Sequence, residues 1–242
     1  MFLDYLAFSE IEEKKILDVV RGISEACKDL GCILAGGETA QMPDIYKKDD
    51  LEVVGFILGI VEKSKIPKIN TIKEGDILIG IPSNGLHTNG YSLVRKIFNF
   101  ESNSKEMDVI VPGTDYSLGE MLTKPHRNYY HLLWEYLGKF KSIAHITGGG
   151  IGENVSRSIP DNVKAKIDIK SWERPKLFEY IKDRGDISLE EMFKVFNMGI
   201  GMVIIADPKY VDIALNTDKN SKIIGKIFNR GNNEEKVNII GI

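Results

Sequence analysis

The side chains most able to do chemistry lie close together in one short stretch, residues 82–91. Two glycines interrupt this stretch, and a glycine-bearing loop before a helix can turn backbone N–H groups toward an anion. The density of neutral hydrogen-bonding groups therefore favours a phosphorylated ligand, although the same residue types also form ordinary turns. The candidate ligand-binding residues of this loop are Ser83, Asn84, Thr88, Asn89 and Gly90.

His87 is the one group of this loop that titrates near neutral pH. An imidazole suits general acid–base catalysis for that reason, so His87 is the candidate catalytic residue. The alternative interpretation is that His87 is a surface residue in a turn.

Three further loops carry glycines at the ends of predicted strands, at residues 36–43, 145–150 and 196–202. In the first, paired glycines allow close approach to a ligand and Glu38 is able to bind ribose hydroxyls or a cation, or else the segment is simply a turn. In the second, three successive glycines predict a nest of N–H groups for phosphate. In the third, Asn197 beside Gly-Ile-Gly could frame a small-molecule pocket, although strand glycines also mark bulges.

The remaining histidines and the cysteines are given structural interpretations. His145 lies on an apolar strand and is interpreted as a core histidine. His126 and His131 lie five residues apart on a helical pattern, so they do not share a helix face well and are interpreted as structural or exposed. Cys27 and Cys32 lack a nearby pair of histidines and are interpreted as small buried hydrophobic residues.

Strands and helices must hold these loops in place, and their alternation predicts a mixed α/β fold. Residues 76–81 predict a strand directly before the first loop, and a helical pattern begins near Tyr91. Ser9 with Glu12 predicts a capping box for an earlier helix, and Gly31 predicts its end. The order of the strands cannot be read from one sequence.

The middle of the chain carries two further predictions. Residues 51–61 form a long apolar run, which predicts a buried strand. Residues 63–74 are charged and contain Pro67, which favours a linker between two domains.

The composition is that of an ordinary globular protein of 242 residues, with 43% hydrophobic and 28% charged residues. A net charge of -3 argues against a broad attraction to nucleic acid. No apolar run approaches the length that spans a bilayer, and the N-terminus lacks a signal-peptide pattern. We therefore expect a cytoplasmic protein without a nucleic-acid or membrane partner.

Four segments resemble, in order, the signature motifs of one family, phosphoribosylformylglycinamidine cyclo-ligase, also called aminoimidazole ribonucleotide synthetase. The resemblance runs from Phe2 nearly to the C-terminus. Four long motifs in register make a chance match very improbable. The segments are 36–43 (GGETAQMP), 83–96 (SNGLHTNGYSLVRK), 145–150 (HITGGG) and 191–202 (EMFKVFNMGIGM).

The resemblance implies an ATP-dependent ring closure in de novo purine biosynthesis. Formylglycinamidine ribonucleotide would become 5-aminoimidazole ribonucleotide with release of ADP and phosphate. Mg²⁺ would bridge the nucleotide phosphates. The resemblance also implies a homodimer. It implies proton transfer by His87 but leaves the metal ligands unassigned. The implied substrate-binding residues are Ser83, Asn84, Thr88, Asn89, Gly90, Gly148, Gly149, Gly150 and Asn197. The implied ATP-binding residues are Gly36, Gly37, Glu38 and Thr39.

The resemblance also implies a domain organisation. Residues 1–64 would be the C-terminal part of an ATP-binding and dimerisation domain, and residues 65–242 a complete C-terminal domain. The family carries an earlier glycine-rich phosphate loop and an Asn-Asp pair, and neither pattern occurs here. We therefore expect a chain truncated at its N-terminus, in which the ATP-holding part of the site is missing.

Two alternatives of different kinds stay open. One is a related ATP-using enzyme, such as a selenophosphate synthetase or a thiamine-phosphate kinase, against which the length and order of the motifs argue. The other is a non-catalytic nucleotide- or phosphate-binding remnant, or one component of a split enzyme, which the absent N-terminal motifs favour. Gln41 and Leu86 depart from the family's usual Glu and Pro, and both changes are tolerable in a loop.

Overall fold

The computed structural model describes residues 1–242, which divide into two units, Met1–Lys63 and Ser64–Ile242. Helices and mixed sheets occur in the chain as predicted, which confirms the α/β class. The segment predicted as a linker holds two short 3-10 helices, Lys63–Lys65 and Ile69–Thr71. None of the helices is long and apolar enough to cross a lipid bilayer.

The first unit is a three-stranded sheet with one long helix. Strand β1 (Phe2–Phe8) lies between β2 (Leu34–Gln41) and β3 (Leu51–Ile57), parallel to the first and antiparallel to the second. Helix α1 (Glu13–Leu30) connects β1 to β2. The side chains of β1 that face away from solvent are those of Leu6, Ala7 and Phe8.

Two predictions for the strands of this unit are wrong. Residues 36–41, predicted as a loop, continue β2 because β1 offers them an unbroken row of backbone partners. The apolar run that begins at Leu51 is a strand only to Ile57, and most of it is exposed rather than buried. Apolar composition alone therefore did not distinguish a core strand from an exposed one.

The ends of α1 were predicted with mixed success. Gly31 ends the helix in a left-handed conformation (φ 63°), as the glycine signal predicts. Glu12, rather than Ser9, occupies the N-cap position, and no side chain caps the helix, so the predicted capping box is wrong. Cys27 is buried as predicted, whereas Cys32 is only half-buried and precedes β2.

The second unit consists of a six-stranded sheet and seven helices. Its strands are β4 (Ile77–Pro82), β5 (Ser142–His145), β6 (Val163–Asp168), β7 (Ile200–Ala206), β8 (Lys222–Asn229) and β9 (Val237–Ile240). Its helices are α2 (Tyr91–Phe98), α3 (Leu118–Leu122), α4 (Tyr130–Leu133), α5 (Gly150–Arg157), α6 (Lys176–Gly185), α7 (Leu189–Val195) and α8 (Val211–Leu215). The helical pattern predicted from Pro125 to Leu137 is realised only as α4 and a following 3-10 segment, Trp134–Lys139.

The strand order is β5-β7-β4-β8-β6-β9, and every neighbouring pair is antiparallel except β6 with β9. Strand β4 is buried on both faces, because Leu78 joins one hydrophobic core and Ile79 the core on the opposite side. Antiparallel pairing of β7 with both β4 and β5 places the ends of β4 and β5 and the start of β7 at the same edge of the sheet. This edge is where the predicted motifs of the second unit meet.

Candidate active site

Asn197 ties the loop after β4 to the turn before β7. Its Oδ1 accepts hydrogen bonds from Ser83 Oγ at 2.8 Å and from the Gly199 N–H at 2.9 Å. Its Nδ2 donates to the Gly85 carbonyl at 2.8 Å. Asn197 is only 3% exposed, so these bonds satisfy a buried amide and set the shape of the loop.

Asn84 fixes a second segment, around Arg127, against the same loop. Its Nδ2 donates to the Pro125 carbonyl at 2.8 Å, and its Oδ1 accepts from the Arg127 N–H at 3.1 Å. The Arg127 guanidinium donates to the Pro82 carbonyl at 3.0 Å and pairs with Asp218. Burial would raise the pKa of Asp218, but the hydrogen bond from Arg127 helps to hold that pKa below its usual value.

The triple-glycine loop after β5 is held by two asparagines. Asn89 Oδ1 accepts from the Gly148 N–H at 3.0 Å, and Asn154 Nδ2 donates to the Gly150 carbonyl at 2.7 Å. The Gly150 N–H donates to the Thr147 carbonyl at 3.1 Å. Two of the three glycine N–H groups therefore already have partners within the chain, which restricts the predicted phosphate nest.

Close packing requires glycine at several of these positions. A Cβ at Gly90 would lie 2.2 Å from the Phe196 ring, and a Cβ at Gly150 would lie 1.8 Å from the Phe193 carbonyl oxygen. Both glycines also have positive φ, at 83° and 64°. The glycines thus have a structural reason that is independent of any ligand.

Three histidines form a cluster at this edge, and we call His87, His126 and His145 the histidine cluster. Their ligating atoms all lie within 4.8 Å of one another. The His87 and His126 rings stack with centroids 3.8 Å apart, and His126 Nε2 lies 3.1 Å from His145 Nε2. His87 is 4% exposed, and neither of its ring nitrogens has a hydrogen-bond partner.

The surroundings keep His87 neutral at physiological pH. Burial, reinforced by the nearby His126, His145 and Arg127, lowers the pKa of His87 from 6.5 to about 4. The pKa of His145 is also lowered, by the partial burial of its ring on the side facing the cluster and by His126. A neutral His87 carries a lone pair that is able to accept a proton.

We expect the free energy of unfolding to depend on pH through His87. Between pH 6.5 and about 4 the unfolded chain binds a proton at this site that the folded chain does not, so stability falls as the pH falls through this range. The contribution reaches about 3 kcal/mol. His87→Asn should remove this contribution, because an amide does not titrate. Asparagine also tolerates the positive φ of this position (61°), so the loop should keep its conformation.

Urea unfolding of chelator-treated protein at pH 7 and pH 4.5 measures this effect. Relative to the parent chain, His87→Asn should gain stability on going to the lower pH. An equal difference between His87→Asn and the parent at both pH values would contradict the assigned environment of His87.

The structure brings together many of the residues that the sequence singled out. Ser83 bonds to Asn197, and Asn89 bonds to Gly148. Asn84 bonds to the segment around Arg127. Thr88 is exposed in the same loop. The residues Gly36, Gly37, Glu38 and Thr39 lie on β2 of the first unit, where all four are exposed.

The interpretation of His145 and the helical placement of His126 are wrong, and one residue was missed. His145 is exposed rather than a core residue, because it is the last residue of β5. His126 was assigned to a helix, whereas it lies before α4 and stacks on His87. Arg127 was not singled out at all. The sequence signal for a non-helical segment near Arg127 is Pro125, because a proline disfavours helix at the residue before it and so marks a break in the chain.

Mg²⁺ does not fit the described residues well. It requires oxygen ligands, whereas the histidine cluster offers nitrogen. In the first unit Asp4 is in register with Gly37 and Tyr5 with Glu38, so the carboxylates of Asp4 and Glu38 project from opposite faces of the sheet. These two acids therefore cannot share one cation.

Both units of the chain match a known protein family. Residues 73–238 match the family described as AIR synthase related protein, C-terminal domain, and residues 1–61 match the corresponding N-terminal domain. The chain belongs to the AIR synthase related protein family. Together the two matched ranges include every motif singled out above.

Two curated relatives of this AIR synthase related chain carry the same name. It is 44% identical over 224 residues to phosphoribosylformylglycinamidine cyclo-ligase of Caldicellulosiruptor bescii, covering 92% of this chain and 66% of that protein. It is 46% identical over 210 residues to the cyclo-ligase of Geobacillus thermodenitrificans, covering 86% of this chain and 60% of that protein. The chain thus spans somewhat less than two thirds of the length of these relatives.

Solved structures share the fold at much lower identity. A thiamine-monophosphate kinase from Stenotrophomonas maltophilia matches with a TM-score of 0.68 and 15% identity, over 99% of this chain and 71% of that chain. AaThiL complexed with AMPPCP and TMP matches with a TM-score of 0.61 and 12% identity, over 100% of this chain and 70% of that chain. At this identity the likeness concerns the AIR synthase related fold alone.

Proposed function

We propose that this chain takes part in the ATP-dependent cyclisation of formylglycinamidine ribonucleotide to 5-aminoimidazole ribonucleotide. The observation that carries the proposal is the 44% identity over 224 residues to a phosphoribosylformylglycinamidine cyclo-ligase. The convergence of three loops and His87 at one sheet edge supports it, because a phosphorylated substrate and a proton transfer need such groups together. The reaction belongs to purine biosynthesis, which we expect to take place in the cytoplasm.

The chemistry has two steps in this proposal. The γ-phosphoryl group of ATP passes to the formyl-amide oxygen of the substrate, which releases ADP and makes that oxygen a good leaving group. An amidine-side nitrogen then attacks the activated carbon, the imidazole ring closes, and phosphate leaves. His87, neutral and buried at the loop, takes the proton that the attacking nitrogen loses.

Other residues of the second unit have roles of shape or contact in the proposal. The side chains of Ser83, Asn84 and Asn197 are engaged in internal hydrogen bonds, so they position the loop backbone rather than reach the substrate. Thr88 is exposed and is available to contact it. The remaining substrate-contacting candidates are Asn89, Gly90, Gly148, Gly149 and Gly150.

The first unit has the nucleotide role in the proposal. Gly36, Gly37, Glu38 and Thr39 would contact ATP from the exposed strand β2, and Mg²⁺ would arrive with the nucleotide, since we assign it no ligand here. We propose a homodimer formed through residues 1–64, with residues 65–242 as the second domain. The exposed apolar side chains of β3 and the residues after it support such an interface; they include Phe56, Ile57, Leu58 and Ile60.

Turnover by the purified full chain tests this function. With ATP and formylglycinamidine ribonucleotide we expect release of ADP together with an aromatic amine, which diazotisation detects. His87→Asn should lower kcat by about 100-fold or more, the usual contribution of a general acid or base. His131→Asn, a histidine outside the cluster, is the matched control and should turn over like the parent chain.

Three other results would count against the proposal. Phosphorylation of thiamine monophosphate would favour a kinase of the kind found among the structural neighbours. Calorimetric binding of ATP or substrate without turnover would favour a nucleotide-binding component rather than an enzyme. ADP release without the amine would indicate ATP hydrolysis alone.

A further inference from the structure

We propose that the histidine cluster is a binding site for one divalent transition-metal ion of the zinc class. The cluster supplies three imidazoles from three separate parts of the second unit: the loop after β4, the segment before α4, and the end of β5. Imidazole nitrogens suit Zn²⁺, Cu²⁺ and Ni²⁺, and three of them form a recognised zinc-binding set.

The spacing of the donor atoms is close to what such an ion requires. Zinc–nitrogen bonds of about 2.0–2.1 Å in a tetrahedral site place neighbouring ligand nitrogens about 3.4 Å apart. The Nε2 atoms of His126 and His145 are 3.1 Å apart, and all three donors lie within 4.8 Å of one another. Small movements of the rings therefore bring the three nitrogens to one ion.

His126 is oriented as a metal ligand usually is. Its Nδ1 lies 2.7 Å from the Arg127 carbonyl, which can only accept a hydrogen bond, so Nδ1 carries the proton. The Nε2 lone pair then accepts a hydrogen bond from His145 Nε2, 3.1 Å away, so binding of the proposed ion requires the proton of His145 to move to its Nδ1. A backbone carbonyl that fixes the tautomer of a ligating histidine is a common outer-shell feature of metal sites.

His87 supplies the observation that calls for a ligand. It is 4% exposed, and its Nδ1 and Nε2 both lack partners, whereas buried polar atoms normally have one. Its ring stacks on His126 at 3.8 Å, so binding requires His87 to tilt toward the shared position. A bound ion would satisfy one of the two orphaned nitrogens.

The surroundings leave room for the ion's charge and for a fourth ligand. The cation beside the cluster, Arg127, is paired with Asp218, which reduces its repulsion of a metal ion. His145 is exposed, so the fourth position opens to solvent. Three protein ligands with an open fourth position are typical of zinc sites that bind water or a small ligand.

The site does not depend on the proposed ligase activity. A metal ion at His87 would occupy the lone pair that proton transfer needs, so the two uses exclude each other in one molecule. Binding is therefore measured without substrate, and its failure would leave the ligase assay unaffected.

Cobalt and zinc titrations of the full chain, stripped of metal by a chelator, test the proposal. We expect one equivalent of Co²⁺ to bind with the intense visible absorption of tetrahedral coordination, and Zn²⁺ to displace it. His126→Asn and His145→Asn should each weaken binding by about 100-fold or more, beyond the effect of losing an outer-shell partner. His145 is exposed, so its replacement should leave the fold intact, and circular dichroism checks this.

Two controls separate this site from others. His131→Asn retains all three proposed ligands and should bind like the parent chain. The Cys27 and Cys32 thiols are the competing soft ligands, so Cys32→Ser should also leave binding unchanged. Equal affinity in the parent chain and in His145→Asn, or a thiolate-to-cobalt charge-transfer band, would overturn the proposal.

Discussion

Gly150→Ala is expected to lower the free energy of unfolding by about 2–5 kcal/mol. Gly150 has a φ of 64°, in the left-handed region where a side chain costs about 1–2 kcal/mol. In addition, the new Cβ would lie 1.8 Å from the Phe193 carbonyl oxygen. That atom belongs to the backbone, so no side-chain rotation relieves the contact, and α5 or α7 must shift.

Gly148→Ala is the matched control within the same triple-glycine loop. Its φ is not positive, and a Cβ there would lie 3.6 Å from Asn89 Oδ1, an ordinary contact distance. Urea unfolding should place this variant within about 0.5 kcal/mol of the parent chain. Equal stability losses in the two variants would show that the loop needs glycine for some reason other than packing against α7.

Asn197→Ala is expected to destabilise the second unit by about 3 kcal/mol. The change removes three hydrogen bonds and leaves the Gly199 N–H and the Gly85 carbonyl without their partner. Because the amide is 3% exposed, water cannot easily replace it. The loop after β4 should also lose its fixed position, so the proposed turnover should fall as well.

A double-mutant cycle with Ser83→Ala sharpens this prediction. Alone, Ser83→Ala removes one bond to Asn197 Oδ1, which keeps its bond from the Gly199 N–H, and should cost about 1 kcal/mol. In the Asn197→Ala background the same change should cost almost nothing. Asn70→Ala, at an exposed asparagine, should stay within about 0.5 kcal/mol of the parent. Full additivity of the Ser83 and Asn197 effects would contradict the described bond.

Local patterns predicted much of the second unit. The apolar run before Ser83 and the helical spacing after Tyr91 predicted β4 and α2, because each element is stabilised by the period of its own side chains. The motif loops were also found from sequence, since glycines and amides mark sharp turns. The hydrogen-bond partners of these loops could not be predicted from sequence. The bond between Ser83 and Asn197, for example, depends on which strands are neighbours in the sheet.

The histidine cluster shows the limit of local reasoning most clearly. His126 and His145 each stand alone in their own segments, so the sequence predicts no shared site for them. Their meeting with His87 follows from the order β5-β7-β4 and from the path of the segment around Arg127. The predicted burial of β3 is wrong for a related reason, because an apolar strand is buried only if another element covers it.

The site lies where the ends of β4 and β5 meet the start of β7, and this position affects the rate of folding. The bond from Ser83 to Asn197 spans 114 residues, and that from Gly148 to Asn89 spans 59. Such contacts form only after the intervening chain has been confined, and sheets made from distant segments fold slowly. In a refolding experiment, helical circular dichroism should therefore return before the environment of His87 does. Competence for ligand binding would report the last stage of folding rather than the first collapse.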